Sequence, residues 1–315
     1  MSFDYYPISH YPVMALIAIA AVLLDRLLGE PRRYHPLVGF GWLANALESR
    51  LNPAARHTHA SQRLWGLLAL ALLLIPFTSL AALLCRSPYI GPLADLLLLY
   101  FAIGHRSLHE HARAVLKPLQ SGDIISAREA ASRMVSRDSA AIDPVPATVE
   151  SVLENGNDGV FGALFWFFIA GGAGALAFRL ANTMDAMWGY RSSRFLYFGW
   201  AAARLDDVLD YIPARLTALS YAFLGKTRTA LDCWRTQAPA WDSPNAGPVM
   251  SAGAGALGVR LGGPARYQGE WHERPPLGSG PVPQIADIEH ALALVRRSVY
   301  LWLAVALAIE VFVHA

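Results

Sequence analysis

TVESVLENGNDGVFGALFWFFIAGGAGALAFRLANTMDAMWGYRSSRFLYFGWAAARLDDVLDYIPARLT, residues 148–217, is the stretch that decides the fold. It places carboxylates, amides and arginines beside long apolar runs. The run at 159–178 is uncharged, and its length suits a hydrocarbon core about 30 Å thick, which takes roughly 20 residues at 1.5 Å each. Ionisable groups beside such runs are functional candidates because lipid disfavours them. The stretch therefore predicts membrane helices next to a polar site.

The overall composition agrees with a membrane protein. Hydrophobic residues make up 54% of the 315 positions and charged residues only 16%, which is unusual for a soluble chain. The net charge is +2 without a dense basic block, so a nucleic-acid-binding protein is excluded. The N-terminus lacks the basic region and cleavage site of a signal peptide, and we expect it to remain as a membrane helix. Cys85 and Cys233 are far apart and are expected to be free thiols.

These features predict an all-α integral membrane protein with about five or six transmembrane or re-entrant helices, forming a single domain over 1–315. The first helix is expected to become regular near Val13. The segment 92–104 is expected to continue into 106–119 as one helix. Small residues at 171–175 allow another helix to pack closely. The apolar segments are 5–24, 64–84, 92–104, 159–178, 195–224 and 299–313.

The polar loops 25–63, 105–158 and 225–297 carry most of the lysines and arginines. This bias predicts that all three loops are cytoplasmic and that both termini face outward. The segment 195–224 must then cross the membrane, although aspartates and Pro213 interrupt it. The alternative is a bent or re-entrant hairpin over 159–224, which requires cover by protein or a water-filled cavity.

Two of the polar loops have recognisable local patterns. The sequence GDIISAREAASRMVSRD (122–138) has helical periodicity that starts after Asp123 as a possible cap, with Ile125, Ala130, Met134 and Val135 roughly on one face. A second helix is expected from Pro144. From Asp242 onward the chain is rich in Gly, Pro and Ala, which predicts irregular backbone.

Two rows of carboxylates are the main chemical signal. Glu150, Glu154 and Asp158 are spaced by four and share a helical face, where like charges repel unless a cation is present. Asp206, Asp207 and Asp210 form a D-D-x-x-D pattern, which can hold Mg²⁺ ions that bridge phosphate oxygens. Both rows also fit structural ion pairs, the second with Arg204 and Arg215.

Glycine-rich and histidine-rich segments give weaker signals. The G-x-G-x-x-G at Gly253, Gly255 and Gly258 follows no predicted strand, which argues against a Rossmann site. The block 243–264, with Arg260, fits a phosphate cradle or a flexible surface loop. His105 and His109 share a helical face, but a zinc site is not favoured because no carboxylate or cysteine has the required spacing. No P-loop or nucleophile elbow occurs.

Several fragments in order along the chain resemble the adenosylcobinamide-phosphate synthase family of cobalamin biosynthesis. The match covers nearly the whole chain. The fragments are DRLLGEPRRYHPLVGFG (25–41), RSLHEHARAVLKPL (106–119), MVSRD (134–138), ESVLENGNDGV (150–160), ANTMDAMWGY (181–190), ARLDDVLDYIPARLTA (203–218), SPNAG (243–247) and GALGVRLGG (255–263).

The resemblance implies a multi-pass enzyme of the bacterial inner membrane that joins adenosylcobyric acid to (R)-1-aminopropan-2-ol phosphate, or to the free amino alcohol, using ATP and Mg²⁺. It makes other corrinoid-pathway enzymes candidate partners. Such a ligation activates a carboxylate as an acyl phosphate for attack by an amine.

Site candidates are taken as members of the matching fragments. The catalytic candidates are Glu150, Glu154, Asp158, Arg204, Asp206 and Asp207. The metal candidates are Asp206, Asp207 and Asp210. The nucleotide candidates are Ser243, Asn245, Gly247, Arg260, Gly262 and Gly263. The substrate candidates are His35, Asn155, Asn182, Asp185 and Arg215.

Three other classes compete with this reading. A membrane prenyltransferase would share the D-D-x-x-D but would require a second aspartate-rich element, for which 182–185 is a weak match. A transporter would explain buried charges but not three sizeable polar loops on one side. A non-catalytic membrane sensor related to the family would be marked by loss of the carboxylate rows, which are present here.

Overall fold

A computed structural model describes residues 14–31, 35–52, 58–267 and 269–314. Within these residues the chain forms thirteen α-helices and four strands of three residues each, so the all-α prediction is confirmed. The first part of the predicted first span, 5–13, lies outside the described residues. The described helix α1 begins at Met14, close to the predicted start at Val13.

Three helices are long and apolar enough to cross a membrane by length and composition. They cover His59–Cys85, Pro144–Trp188 and Ile285–Val313. The first confirms the helix predicted at 64–84, and the last includes the segment predicted at 299–313. The second contains 159–178 but is interrupted within. A total of five or six spans stays a prediction.

The chain divides into two compact units. One comprises Met1–Gly104, Gly162–Leu209 and Leu303–Ala315, and the other comprises His105–Phe161 and Asp210–Trp302. The prediction of a single domain stays a prediction.

The first unit contains six helices and the end of the last one. Its core contains Phe40, Leu70, Trp188 and Phe198, and the rings of Trp188 and Phe198 meet edge to face with centroids 5.0 Å apart. The helices are α1 (Met14–Leu28), α2 (Pro36–Leu51), α3 (His59–Cys85), α4 (Gly91–Ala102), α8 (Gly162–Trp188) and α9 (Trp200–Leu209).

Helix α8 is broken at Ala170 and Gly171. Gly171 has φ 66° and ψ −162°, a conformation that only glycine adopts readily. The backbone N–H of Gly172 donates to Oδ1 of Asp95 on α4 at 2.6 Å. A Cβ on Gly172 would lie 2.9 Å from Cα of Asp95, so the prediction that small residues at 171–175 permit close helix packing is confirmed.

The second unit contains shorter helices around a buried polar centre. A π-helical turn (Asn157–Phe161) follows α7 directly. The helices are α5 (His105–Gln120), α6 (Ile124–Ala131), α7 (Pro144–Gly156), α10 (Tyr211–Leu224), α11 (Thr227–Gln237), α12 (Ala246–Leu257) and α13 (Ile285–His314), the last contributing residues up to Trp302 to this unit.

Four short strands form two antiparallel pairs in the second unit. β1 (Arg260–Gly262) pairs with β4 (Pro276–Gly278), with Leu261 opposite Leu277. β2 (Ala265–Tyr267) pairs with β3 (Glu270–His272), with Arg266 opposite Trp271.

The helices expected after Asp123 and from Pro144 are both present. Oδ1 of Asp123 accepts the N–H of Ser126 at 3.1 Å and caps α6. The predicted apolar face was partly wrong, because Ile125 is 77% exposed and Ala127 and Ala131 are buried instead. Helix α6 also ends at Ala131, well before the end of the periodic pattern.

The predicted continuous helix over 92–119 was wrong. Helix α4 ends at Ala102, Ile103 is extended with φ −87° and ψ 128°, and α5 begins at His105. Hydropathy alone does not mark this break. The segment 195–224 is interrupted as predicted, since α9 ends at Leu209 and α10 begins at Tyr211.

The prediction of irregular backbone from Asp242 onward was wrong for 246–257, which form the buried helix α12. A Cβ on Gly253 would lie 2.7 Å from Cδ2 of Leu153, and one on Gly255 would lie 2.8 Å from Cα of Ala230. Glycine and alanine therefore allow α7 and α11 to pack closely against α12. Gly258, with φ 76°, ends the helix in the left-handed conformation.

Candidate functional site

Glu150 is the centre of a buried ion cluster in the second unit. It lies on α7 and is 2% exposed. Nη2 of Arg137 donates to its Oε2. Arg274 donates from Nη1 to Oε2 at 3.0 Å and from Nη2 to Oε1 at 3.3 Å. The N–H of Gly262 donates to Oε1 at 2.9 Å, so four donors from three parts of the chain hold one carboxylate.

The arginines of this cluster are themselves fixed. Arg274 donates from Nε to the carbonyl of Gly263 at 3.0 Å, and its guanidinium lies 5.4 Å from the ring centroid of Trp241. Burial lowers the pKa of Arg137, but attraction to Glu150 and the hydrogen bond from Arg137 to it outweigh this and raise the pKa overall. The side chains of Arg137 and Arg274 are each 13% exposed, so both guanidinium groups are largely shielded from water.

Asp138, next to Arg137, ties the same segment to the β2–β3 hairpin. Its Oδ2 accepts the N–H of Gly269 at 2.8 Å and pairs with Nε of Arg266 at 3.4 Å. The segment 134–138, matched as MVSRD, therefore holds the hairpin as well as Glu150.

The second carboxylate of the row, Glu154, lies one helical turn beyond Glu150. It is partly exposed. The neighbouring Asn155 is exposed, and its Nδ2 donates to the carbonyl of Ser151 at 2.9 Å. The solvent exposure of the side chains thus increases within this turn, from buried Glu150 to partly exposed Glu154 and exposed Asn155.

Asn157, in the π-helical turn, connects two aspartates. Its Nδ2 donates to Oδ1 and Oδ2 of Asp210 at 2.8 and 2.7 Å, and to Oδ1 of Asp158 at 3.0 Å. Its Oδ1 accepts the hydroxyl of Thr217 at 3.0 Å. Asn157 and Asp210 are 1% and 3% exposed, so this polar centre is buried.

Arg215 and the start of α12 form a third polar group. Nη1 of Arg215 donates to Oδ1 of Asn245 at 2.8 Å, and Nη2 donates to the carbonyl of Pro244 at 2.9 Å. The guanidinium stacks on Tyr211 at 3.5 Å from the ring centroid. Oγ of Ser243 accepts the N–H of Ala246 at 3.1 Å.

The remaining nucleotide candidates differ in their exposure to solvent and in their backbone conformation. Gly247 is buried in α12, where a Cβ would lie 2.9 Å from the carbonyl oxygen of Ala238. Arg260 is exposed at the start of β1. Gly262 and Gly263 have φ of 78° and 80°. The N–H of Gly262 is bonded to Glu150, so only part of this set presents groups to a ligand.

The other site candidates lie in the first unit. Nδ2 of Asn182 donates to Oδ1 of Asp206 at 3.3 Å. Arg204 pairs with Asp207 at 3.5 Å. The carbonyl of Asp185 accepts the N–H of Gly189 near the end of α8.

His35 caps α2. Its Nδ1 accepts the N–H of Leu37 at 3.2 Å, and its ring contacts Phe101 edge to face.

The structure therefore brings together only part of the predicted site. Asp206 and Asp207 belong to the first unit and Asp210 to the second. Across 14–31, 35–52, 58–267 and 269–314, no three His, Cys, Asp or Glu side chains form a group that could hold a metal ion. His105 and His109 share a face as predicted, with ring centroids 4.8 Å apart.

Sequence reasoning missed Arg137, Asn157, Thr217 and Arg274 as site residues. Arg137, Asn157 and Thr217 lie inside the matched fragments 134–138, 150–160 and 203–218, so a signal was available for them. Arg274 lies in no matched fragment and has no spacing relation to Glu150 that periodicity could reveal.

The chain is similar to known proteins over nearly its whole length. The chain matches the family described as CobD/Cbib protein over residues 18–295. It is similar to proteins named Cobalamin biosynthesis protein CobD. The one from Chromobacterium violaceum is 56% identical over 306 residues, covering 96% of this chain and 98% of the relative.

Two further relatives carry the same name. The protein from Stutzerimonas stutzeri is 57% identical over 295 residues, covering 93% of this chain and 96% of the relative. The protein from Mycobacterium tuberculosis strain H37Rv is 38% identical over 298 residues, covering 91% and 93%. No solved structure matches the chain.

The helical fold, the three membrane-length helices and the buried polar centres define an all-α membrane protein. The chain belongs to the CobD/CbiB family, the adenosylcobinamide-phosphate synthase family of cobalamin biosynthesis. This confirms the resemblance drawn from the sequence fragments, and it gives the chain a role in cobalamin biosynthesis.

Proposed function

We propose that the chain is an ATP-dependent amide ligase that joins adenosylcobyric acid to (R)-1-aminopropan-2-ol phosphate, or to the free amino alcohol, with Mg²⁺. The observation that carries the proposal is the Glu150 cluster. It places two arginines beside a row of carboxylates in a chain of this family. A ligase of this kind needs a carboxylate that accepts a proton, and the two arginines fix the row that supplies one.

The reaction sequence follows from the chemistry of the reactants. A free carboxylate is a poor acyl donor, so phosphoryl transfer from ATP would convert it to an acyl phosphate. Attack by the amine then forms the C–N bond, and phosphate leaves with the acyl oxygen. Positioning and electrostatic stabilisation are the contributions expected from the protein.

The donor set is compatible with Mg²⁺ carried by a nucleotide. Mg²⁺ is usually held by one or two carboxylates together with substrate phosphates, rather than by an all-protein cage. Asp206 and Asp207, both on α9, are the residues we propose to hold it. When bound, the ion would neutralise charge on the phosphates.

We assign the nucleotide phosphates to the segment before α12. Ser243 and Asn245 precede the N-terminus of α12, the positive end of the helix dipole, which favours anions, and Arg215 lies against Asn245. Arg260 is exposed and can add charge. Gly247, Gly262 and Gly263 would act through backbone shape, and His35, Asn155, Asn182 and Asp185 remain proposed substrate contacts.

We place the chain in the bacterial inner membrane with loops 25–63, 105–158 and 225–297 in the cytoplasm. Single cysteines at exposed Glu129 and Pro264, in a cysteine-free background, should resist periplasmic labelling reagents, and a cysteine in the N-terminal segment should react. Labelling of the two loops from the periplasm would reverse the orientation. Other corrinoid-pathway enzymes are the proposed protein partners.

The reaction is tested with purified protein, adenosylcobyric acid, ATP, Mg²⁺ and each amine in turn. Each amide formed should release one ADP and one phosphate. Oxygen-18 placed in the corrinoid carboxylate should appear in inorganic phosphate. Label in AMP would mean adenylation, and condensation of an allylic diphosphate without nucleotide cleavage would favour a prenyltransferase.

A further inference from the structure

Glu154 differs in its contacts from the other five carboxylates of the two rows. Each of the others is bonded to a described side chain or backbone donor: Glu150, Asp158, Asp206, Asp207 and Asp210. Among the residues that the structure describes, Glu154 accepts no hydrogen bond and makes no ion pair. Its two oxygens are therefore available to a ligand.

The charged groups around Glu154 come from three parts of the second unit. Glu150 and Asp158 lie one turn before and after it on the same stretch of chain. Arg137, in the segment after α6, and Arg274, in the connection between β3 and β4, act on it through their charge. Glu154 is thus a partly exposed carboxylate held between two carboxylates and influenced by two guanidinium groups.

Glu150 is unsuited to proton transfer, although it is the most strongly bonded carboxylate of the row. Both of its oxygens accept hydrogen bonds from charged or backbone donors, and it is 2% exposed. A base must reach the proton it removes, and this geometry leaves no room for an amine. The role that fits Glu150 is to fix α7 and the two arginines.

The amine substrate needs a base. A primary amine with a pKa of about 10, as in lysine, is neutral in roughly one molecule per thousand at pH 7. Attack on an acyl carbon requires this neutral form. A positioned base contributes typically about 10²–10⁴-fold to such a step.

We propose that Glu154 is the general base that accepts a proton from the ammonium group of the amino alcohol, and that Arg137 and Arg274 are positioning residues acting through Glu150. The inference rests on the proposed amide-ligase function. Glu154 takes one proton from the ammonium, and the nitrogen electron pair forms the C–N bond. The C–O bond to phosphate breaks with its electron pair on the leaving phosphate. The second nitrogen proton passes to that phosphate, and Glu154 returns its proton to water.

The first test compares two nucleophiles in Glu154→Gln. We expect amide formation with the amino alcohol to fall by about 100-fold or more. Hydroxylamine is largely uncharged near neutral pH and needs no base, so its ATP-dependent capture of the activated corrinoid should stay within about threefold of wild type. The exposed, ion-paired Glu129→Gln is the matched control and should leave both rates unchanged.

The outcomes separate the two proposals. If wild-type protein forms no amide and no hydroxamate, the proposed function fails. If wild type forms the amide and Glu154→Gln forms it at a normal rate, Glu154 is not the base. An equal loss with both nucleophiles would also contradict the assignment, since it would indicate a structural defect. Glu154→Asp, which keeps the carboxylate, should recover part of the amine reaction.

The second test concerns the arginines. Removing a cation near Glu154 should move the acidic limb of the kcat/KM profile to higher pH by about one unit. We expect this shift for Arg137→Gln and Arg274→Gln. Arg274→Lys, which keeps the positive charge, should return the acidic limb to its wild-type position. A lower rate at every pH with an unmoved limb would show that these arginines are purely structural.

Discussion

Arg274 and Glu150 face each other as a two-point pair, with Nη1 3.0 Å from Oε2 and Nη2 3.3 Å from Oε1. The pair joins a residue beyond β3 to one in α7, 124 positions earlier. Because both side chains are largely buried, each depends on the other for compensation of its charge.

Loss of this pair should destabilise the protein. Arg274→Gln leaves Glu150 with less positive charge in a buried setting, and breaking such pairs typically costs about 3–5 kcal/mol. We expect about 3 kcal/mol, since Arg137 remains, measured by denaturant unfolding in detergent. Arg133→Gln breaks an exposed pair with Glu129 and should change stability by less than about 0.5 kcal/mol. Equal effects of the two substitutions would contradict the description of a buried cluster.

Asn157 should be far more sensitive than its neighbour Asn155. Asn157→Ala removes the donor shared by Asp158 and Asp210 and the acceptor of Thr217, and each lost partner of a buried polar group costs about 1–3 kcal/mol. Asn155 is exposed and bonds only within its own helix turn. Thermal unfolding of Asn157→Ala and Asn155→Ala tests this difference, which would be absent if the π-helical turn were only a helix irregularity.

Asp207 is expected to matter for activity more than for stability. Its side chain is 30% exposed and that of Arg204 is 66% exposed, with 3.5 Å between them, and a partly exposed pair at this distance contributes little to folding. If its charge handles Mg²⁺ and phosphate, Asp207→Asn should lower turnover by at least about tenfold. Normal turnover of a folded, membrane-inserted Asp207→Asn protein would show that the D-D-x-x-D is structural.

Gly255 should not accept a larger residue. A Cβ there would lie 2.8 Å from Cα of Ala230 and 2.9 Å from the carbonyl oxygen of Thr229, and backbone atoms cannot move aside as a flexible side chain can. Gly255→Ala should cost about 1–3 kcal/mol through overpacking. Gly39→Ala in α2, where nothing lies within 4 Å, should be neutral or slightly stabilising. A harmless Gly255→Ala would mean that α11 and α12 are less closely packed than described.

Cys233 should react slowly with alkylating reagents. Burial raises the pKa of its thiol, and Asp232 raises it further. A higher pKa leaves less thiolate, the reactive form, at any pH below it. In a Cys85→Ser background, iodoacetamide at pH 8 should label folded protein much more slowly than unfolded protein, and Asp232→Asn should increase the rate. Equal labelling of folded and unfolded protein would contradict the buried position.

The positions of helices could be predicted where a single sequence feature, such as an apolar run or a capping residue, dominated. The uncharged run at 64–84 and the capping residue Asp123 both gave helices close to the expected places. Where two signals competed, prediction failed. Gly and Ala at 246–257 favoured a loop by composition, whereas the helix is stabilised by close contacts with Leu153 and Ala230 that periodicity cannot show.

The candidate site was predictable to a similar extent. The carboxylates were visible because charge is rare beside apolar runs, and Arg137 lay in a fragment already matched. Arg274 was not visible, because its partner is distant in sequence and only the fold brings them together. The D-D-x-x-D appeared as one motif along the chain, but Asp210 bonds with Asn157 in the second unit, whereas Asp206 and Asp207 contact Asn182 and Arg204 in the first.

The bond between Gly172 and Asp95 fixes the register of α4 on α8. Sliding α4 by one helical turn, about 5.4 Å, would remove the acceptor from the broken backbone at Gly171 and leave a carboxylate among apolar side chains. The two helices are thus expected to resist shear and to move as one rigid body. A single-residue insertion between 85 and 95 should be far more damaging than one in the exposed turn at 121–122, because it would rotate the carboxylate by about 100° away from the N–H that it caps.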